Sequence, residues 1–381
     1  MAKWLTRKTI GAICLGVSLA AAAPSAIAVE DVLVKPARDT DLATQNLLND
    51  AVDLGERIVA VGERGHIVYS DDRGETWSQA EVPVSVTLTA VDFGTPRHGW
   101  AVGHSGAVLH SSDAGETWQL QLDGVEAARI AIAAKEERAV ALEEQIEDAP
   151  VEDKGDLEWA LDDLMFSLEN LESDLEVGPV NPMLSVWFEN DSHGFVMGAY
   201  GMIFRTRDGG DTWQDWSGEL ANPQGFHLNA MTALKGGGLV IVGEAGFITV
   251  SDDNGDTWEL RESPYPGSLF GVLDTDNPDE MMVFGLRGNL LISSDLGERW
   301  QTIASNSTAT LNAGAFTDSG GVILVGNGGA VVSRASDKHP FETYFRSDRD
   351  GLTSLVLVGP ERLLLLGENG VVHTNAAGKN F

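Results

Sequence analysis

Cysteine is all but missing: Cys14 is the only one in 381 residues. It falls within a stretch that reads as a leader, so the mature chain is expected to have no disulfide, no thiol chemistry and no cysteine metal site. Gly11-Ala12-Ile13 before it makes a poor lipobox, and no lipidation is expected there. Positive charge is scarce as well, with 25 Lys and Arg against 58 Asp and Glu. The formal net charge of −33 becomes −36 once Lys3, Arg7 and Lys8 leave with the leader. Such a surface repels phosphate and anionic headgroups, which argues against nucleic acid as a partner. Beyond the leader no apolar run approaches the roughly 20 residues that span a bilayer, so no transmembrane segment is expected in the mature chain.

The leader has the three parts of a secretory signal. Lys3, Arg7 and Lys8 form the positive region, Ile10 to Ala23 the apolar region, and Ala26-Ile27-Ala28 the small-x-small cleavage site. A signal peptide at 1–28, cut after Ala28, predicts a periplasmic or otherwise exported mature chain at 29–381.

Glycine, with 43 residues, is abundant, as in folds built on many tight turns. Much of it is periodic. Gly-x-x-Gly occurs at 62–65, 103–106, 198–201, 243–246, 285–288, 326–329 and 367–370, at spacings of 41, 95, 45, 42, 41 and 41. Each copy joins two β-like runs, as Ile58 to Val61 and His66 to Tyr69 do around the first, which reads as a hairpin.

A second motif starts seven to eight residues after the first glycine of each pair. Ser70-Asp71-Asp72-Arg73-Gly74-Glu75-Thr76-Trp77 has the Asp-box pattern Ser/Thr-x-Asp-x-Gly-x-Thr-Trp. It recurs at 111–118, 206–213, 251–258 and, with Arg299 in place of Thr, 293–300, then decays in the last two repeats. Asp accepts bonds from backbone N–H groups further along a turn, Gly supplies a left-handed position, and Trp buries apolar area at the start of the next strand. Asp72, Asp113, Asp208, Asp253 and Asp295, with Trp77, Trp118, Trp213, Trp258 and Trp300, are therefore read as structural.

A third apolar run precedes each hairpin from the second onward, such as Leu88 to Phe93 and Leu311 to Phe316. Four strands in about 41 residues is a propeller blade. The fold expected is all-β, a seven-bladed β-propeller, or six-bladed if a terminal unit is incomplete. Repeat seven stops just past its third strand, so Val32-Leu33-Val34, near 31–36, is expected to add as the outer strand of the last blade.

The long interval holds an insertion at 123–178 with helical periodicity. Leu157, Leu161, Leu164, Leu168, Leu171 and Leu175 follow heptad spacing, and Ala128, Ile132, Ala139, Leu142 and Ile146 keep a similar rhythm upstream. Asp148 to Gly155, with Pro150, reads as a turn. An antiparallel α-helical hairpin between blades 2 and 3 is expected, with 18 acidic and 4 basic residues in 123–176. Loops between second and third strands share a face with blade-to-blade connections. The arm and the Gly-x-x-Gly turns should therefore lie together, and Arg64, His104, Tyr200, Glu244, Arg287, Asn327 and Glu368 form a candidate binding ring.

The phased Gly-x-x-Gly hairpins and Ser-x-Asp-x-Gly-x-Thr-Trp turns resemble the photosystem II stability/assembly factor family over most of residues 39–381 apart from the insertion. The resemblance implies a seven-bladed lumenal or periplasmic propeller. It also implies a non-enzymatic factor that binds a reaction-centre subunit through an arginine-rich surface; here Arg64 and Arg287 are the arginines at ring positions. The partner expected is a protein, a membrane-complex subunit or a transporter, bound by a monomer.

The alternative is a glycan-active enzyme, because Asp-box repeats also occur in sialidases. Such an enzyme needs an arginine triad, a Tyr–Glu nucleophile pair and an Asp acid. No arginine set stands at matching blade positions, and Tyr200 with Glu244 is the nearest approach to the pair. Eight histidines, from His66 to His373, show no ligand spacing. Asp252-Asp253-Asn254-Gly255-Asp256 lacks the distal Glu of a calcium loop. No catalytic residue, metal or cofactor is assigned.

Overall fold

The computed structural model describes residues 31–178, 180–275 and 277–380, and the leader expected at 1–28 lies outside them. Seven antiparallel sheets follow one another along the chain, six with four strands and the last with three. Blade 1 is made of Leu48–Asp53, Ile58–Gly62, Ile67–Ser70 and Ser78–Gln79. The second strands of blades 1 to 6 are wholly buried, as in Ile58–Gly62 and Leu239–Gly243, and that of blade 7 is buried from Leu363 on, because each sheet is covered on both faces by its neighbours. The first strands of successive blades contact each other all the way round, and that of blade 7, Leu352–Gly359, meets that of blade 1. The chain is a closed seven-bladed propeller.

One device recurs in all seven first strands. The second residue is bulged out of register, as between Leu48 and Asp50 or Leu88 and Ala90. In five blades the residue freed this way is Asn or Thr, and it donates to the carbonyl that opens the next blade. Asn49 reaches Leu88 O, Thr89 reaches Met183 O, Asn229 reaches Leu269 O and Asn312 reaches Leu352 O. Thr353 Oγ1 closes the circle on Leu48 O at 2.6 Å.

The ends of the ring differ from the sequence-based expectation. Val32-Leu33-Val34 lie in a turn and not in the seventh sheet, which keeps three strands. The reason is a competing set of contacts. Val32 O accepts from Ser85 N–H, Ala37 N–H donates to Val82 O, and Leu33 and Ala37 pack on the core between blades 1 and 2. What closes the ring is the next segment. In blades 1 to 6 the last glycine of the Gly-x-x-Gly turn packs on the linker leaving that blade, as Gly65 does on Val84. In blade 7 the same glycine, Gly370, packs on Thr44. Residues before Leu48 thus stand where a linker from blade 7 to blade 1 would run, with Ala43 buried between the two blades.

The insertion is a helical hairpin, α1 Gly124–Asp148 and α2 Lys154–Val177, between the last strand of blade 2 and the first of blade 3. Asp123 caps α1 by accepting from Glu126 N–H at 2.9 Å. Ala127, Ala128 and Ala131 are buried at the base of α1, where Ala127 and Ala131 pack with Met183, Phe204 and Trp213, while α2 has no buried residue.

Candidate functional site

The five Asp-boxes lie at turns between third and fourth strands, on the face opposite the arm. In each, a buried Ser or Thr Oγ accepts from the box glycine N–H at 2.8 or 2.9 Å and donates to the Asp. The Asp also accepts from the backbone four residues on. Hydrogen bonds from the Thr76 and Thr257 hydroxyls, then from their N–H groups, hold Asp72 and Asp253 down at about 2. In blade 5, Arg299 Nε reaches Asp295 at 2.7 Å in place of the missing threonine hydroxyl. These carboxylates are engaged by their own turns.

On the other face, the Gly-x-x-Gly turns of blades 1 to 6 are single turns of tight helix in which the third residue is left-handed, with φ of 57° at Arg64 and 56° at Tyr200. The closing glycine is required twice over. Gly65 has φ of +74°, and a Cβ there would overlap the Val84 carbonyl.

The seven candidate ring residues fall into two registers. His104, Glu244, Asn327 and Glu368 occupy the second position of the motif. Their N–H groups donate to the carbonyls of Thr87, His227, Thr310 and Gly351, just ahead of each blade's own first strand. Arg64, Tyr200 and Arg287 occupy the left-handed third position and are exposed. The structure joins only Tyr200 and Glu244. The Tyr200 N–H donates to His227 Nδ1 at 3.0 Å, the rings meet edge to face at 5.0 Å, and His227 Nδ1 lies 3.6 Å from Glu244 Oε2. The others stand apart on their own blades.

The more substantial concavity was not anticipated. A cavity of about 550 Å³ opens between the arm and blade 3. Ala127, Ala131, Phe166 and Leu171 form its helical wall, and Met202, Phe204 and Tyr200 its blade wall. Its polar groups include Lys135, Asp163, Asp174 and Asp215. Arg138 Nη2 ties α1 to blade 3 through Asp215 Oδ2 at 2.5 Å, and the Asp215 side chain is only 2% exposed. Burial pushes the Lys135 ammonium below the usual lysine range, opposed by nearby Asp215. Among the described residues no group of three or more His, Cys, Asp or Glu is arranged to hold a metal ion, and no helix is long and apolar enough to cross a membrane.

A closed ring of blades, with Asp-box turns on one face and an arm-walled cleft on the other, defines the class: a seven-bladed Asp-box propeller. Within that class, the family described as Photosynthesis system II assembly factor YCF48 matches residues 73–137 and 168–347. The chain belongs to that family. It is similar to the photosystem II assembly lipoprotein Ycf48 of a Synechococcus strain, 29% identical over 140 residues, 36% of this chain and 41% of the relative. It is also similar to the chloroplastic photosystem II stability/assembly factor HCF136 of Arabidopsis thaliana, 26% identical over 168 residues, 42% of this chain and 41% of the relative. The chain thus matches about two fifths of the length of these curated relatives. Among solved structures, YCF48 bound to a D1 peptide superposes with a TM-score of 0.60 at 16% identity, covering 89% of this chain and 98% of the other. YCF48 from Cyanidioschyzon merolae gives 0.58 at 15%, covering 89% and 97%. At these identities the superpositions speak for the fold.

Proposed function

We propose that this chain is an exported, monomeric, non-enzymatic propeller that binds a protein partner through the face bearing the arm and the Gly-x-x-Gly turns. It serves as an assembly or accessory factor for a membrane or envelope complex, its client a membrane-complex subunit or a transporter. The observation that carries this reading is the cleft where the arm meets blade 3, a concave surface on the face that also exposes Arg64, Tyr200 and Arg287. The relatives support it: they are named as assembly factors, and one solved YCF48 holds a peptide of D1. The lipoprotein relative supports export. The test is affinity capture from envelope extracts with the whole chain and with a variant in which a short linker replaces residues 125–177. The expected result is loss of a specific partner with the arm; an unchanged set of partners would refute the reading.

A glycan-active reading draws on one observation, the Tyr200–His227–Glu244 contact. Tyr200 is 66% exposed and approaches Glu244 only through the histidine. A panel of chromogenic glycosides is expected to show no hydrolysis above that of Glu244→Gln.

A further inference from the structure

One side of α2 carries a pattern that helix packing does not explain. The leucine seam faces α1. On another side, Asp156, Trp159, Asp163, Phe166, Asn170 and Asp174 follow at spacings of 3, 4, 3, 4 and 4, which places them in one stripe along the helix. Trp159 is 73% exposed and Phe166 67%. Two large aromatic rings held in water on an anchored helix are unusual for a surface with no role in contact. The stripe runs into the cleft, because Asp163, Phe166, Asn170 and Asp174 all line the cavity, and Tyr200, also exposed, faces them from blade 3. Trp159 continues it about 10 Å further up the helix, at ~1.5 Å per residue.

The charge along the stripe itself is of one sign. None of the eight Asp and Glu of α2 takes part in an ion pair among the described residues. Of the cations near the base, Arg138 is paired with Asp215 on blade 3, and Lys135, whose ammonium burial disfavours, lies near the same carboxylate at the cavity wall. Carboxylates alternating with aromatic faces offer ion pairing and cation–π contact to the same ligand. A second copy of this chain would bring a like-charged arm against this one, and an anionic bilayer would be repelled in the same way. What fits is a cationic chain with apolar residues to fill the cleft.

We propose that the cleft and its aromatic–acidic stripe seat a Lys- or Arg-rich amphipathic peptide segment of the protein partner. This rests on the partner-binding reading above and specifies the chemistry of what is bound. Cationic side chains lie over Trp159 and Phe166 and beside Asp156 and Asp163, while apolar side chains enter the cavity between Phe166, Tyr200 and Met202.

The test uses the whole mature chain and a labelled synthetic amphipathic helix of Lys and Leu, with a Glu and Leu counterpart of the same pattern, followed by fluorescence anisotropy. The Lys peptide binds and the Glu peptide does not. Trp159→Ala with Phe166→Ala weakens binding about tenfold or more, and Asp163→Lys weakens it more than the equal charge change Glu143→Lys outside the stripe. These side chains are exposed, so the variants keep the parent's circular dichroism and melting temperature. The proposal is overturned if the two charge changes act alike, which marks diffuse attraction, or if the aromatic variant binds undiminished. It is also overturned if the parent forms a dimer that the aromatic variant abolishes, since the stripe would then serve a second copy. Affinity capture separates the two readings: a partner lost with the arm but kept by the aromatic double variant sinks the stripe and leaves the face standing.

Discussion

Asp50 and Asp92 sit on the first strands of blades 1 and 2, where they tie blade to blade. Asp50 accepts from Val91 N–H and from the Ser354 hydroxyl, and Asp92 accepts from Phe188 N–H. Burial outweighs these bonds and pushes both carboxyls up to about 6. A carboxyl that binds its proton more tightly folded than unfolded adds stability below its unfolded value of 3.8, and that contribution is lost as pH rises through 6. Asp72 and Asp253 act in the opposite sense: their contribution is present above 3.8 and is lost as pH falls through about 2. Thermal melts are therefore expected to rise from pH 7 to about pH 4 and fall below it. Relief of the general negative charge adds to the rise, so the informative comparison is Asp92→Asn, which keeps an acceptor for Phe188 N–H and should flatten the slope between about pH 4 and pH 6. An unaltered slope would show that Asp92 does not carry the effect. The Asp-box invites a second substitution. Ser70 is 2% exposed and its Oγ accepts from the buried Gly74 N–H, so Ser70→Ala leaves that donor without a partner. A loss of about 1–3 kcal/mol in urea unfolding is expected.

At the scale of elements, legibility followed how strongly each residue's role is written into its type. The Asp-boxes and Gly-x-x-Gly turns could be read because left-handed backbone and side-chain capping demand particular residues. The hairpin was legible because one leucine seam repeats every heptad. The first strand of blade 1, Leu48–Asp53, has no strand signature because Asn49, Asp50 and Asp53 are poor strand formers; Asn49 and Asp50 stand there to reach neighbouring blades, not to fill a sheet. The bulges left no local signal, though Asn or Thr after an opening Leu was visible in five repeats. The cleft was illegible for another reason. It depends on how far α1 leans on blade 3, which the Arg138–Asp215 pair fixes across 77 positions of sequence. Removing that pair should loosen the arm without opening the ring. Replacing both partners, Arg138→Leu with Asp215→Asn, is expected to speed hydrogen exchange in α1 and α2 more than in the blades. Uniform loss of protection across the blades would contradict this.

At the scale of the whole molecule, the seam between blades 7 and 1 is where the two ends of the described chain meet. No strand is shared across it. Its contacts include Thr353 on Leu48, Ser354 on Asp50, Arg73 Nη2 on the Leu357 carbonyl at 2.7 Å, the Arg362–Glu75 ion pair, and residues before Leu48 lying where a linker would run. Thr353→Val removes one of these bonds at nearly constant volume and is expected to cost about 1 kcal/mol. Its effect should appear first as faster exchange in Leu352–Gly359 and Leu48–Asp53, whereas a cut in any internal linker would spread over two continuous blades. The opposite situation holds where the arm enters. Gly106 packs against Gly124 at the start of α1, and its N–H donates to Asn181 O just beyond α2. One glycine therefore clasps both ends of the insertion, and the ring meets there the same two strands of chain that it meets at an ordinary linker. Whatever is spliced between those points inherits a fixed base, provided it keeps the small residues that pack there on Met183, Phe204 and Trp213. The propeller is in this respect a chassis with a socket, into which, on the partner-binding proposal, a differently charged arm of the same base could be grafted to change the client.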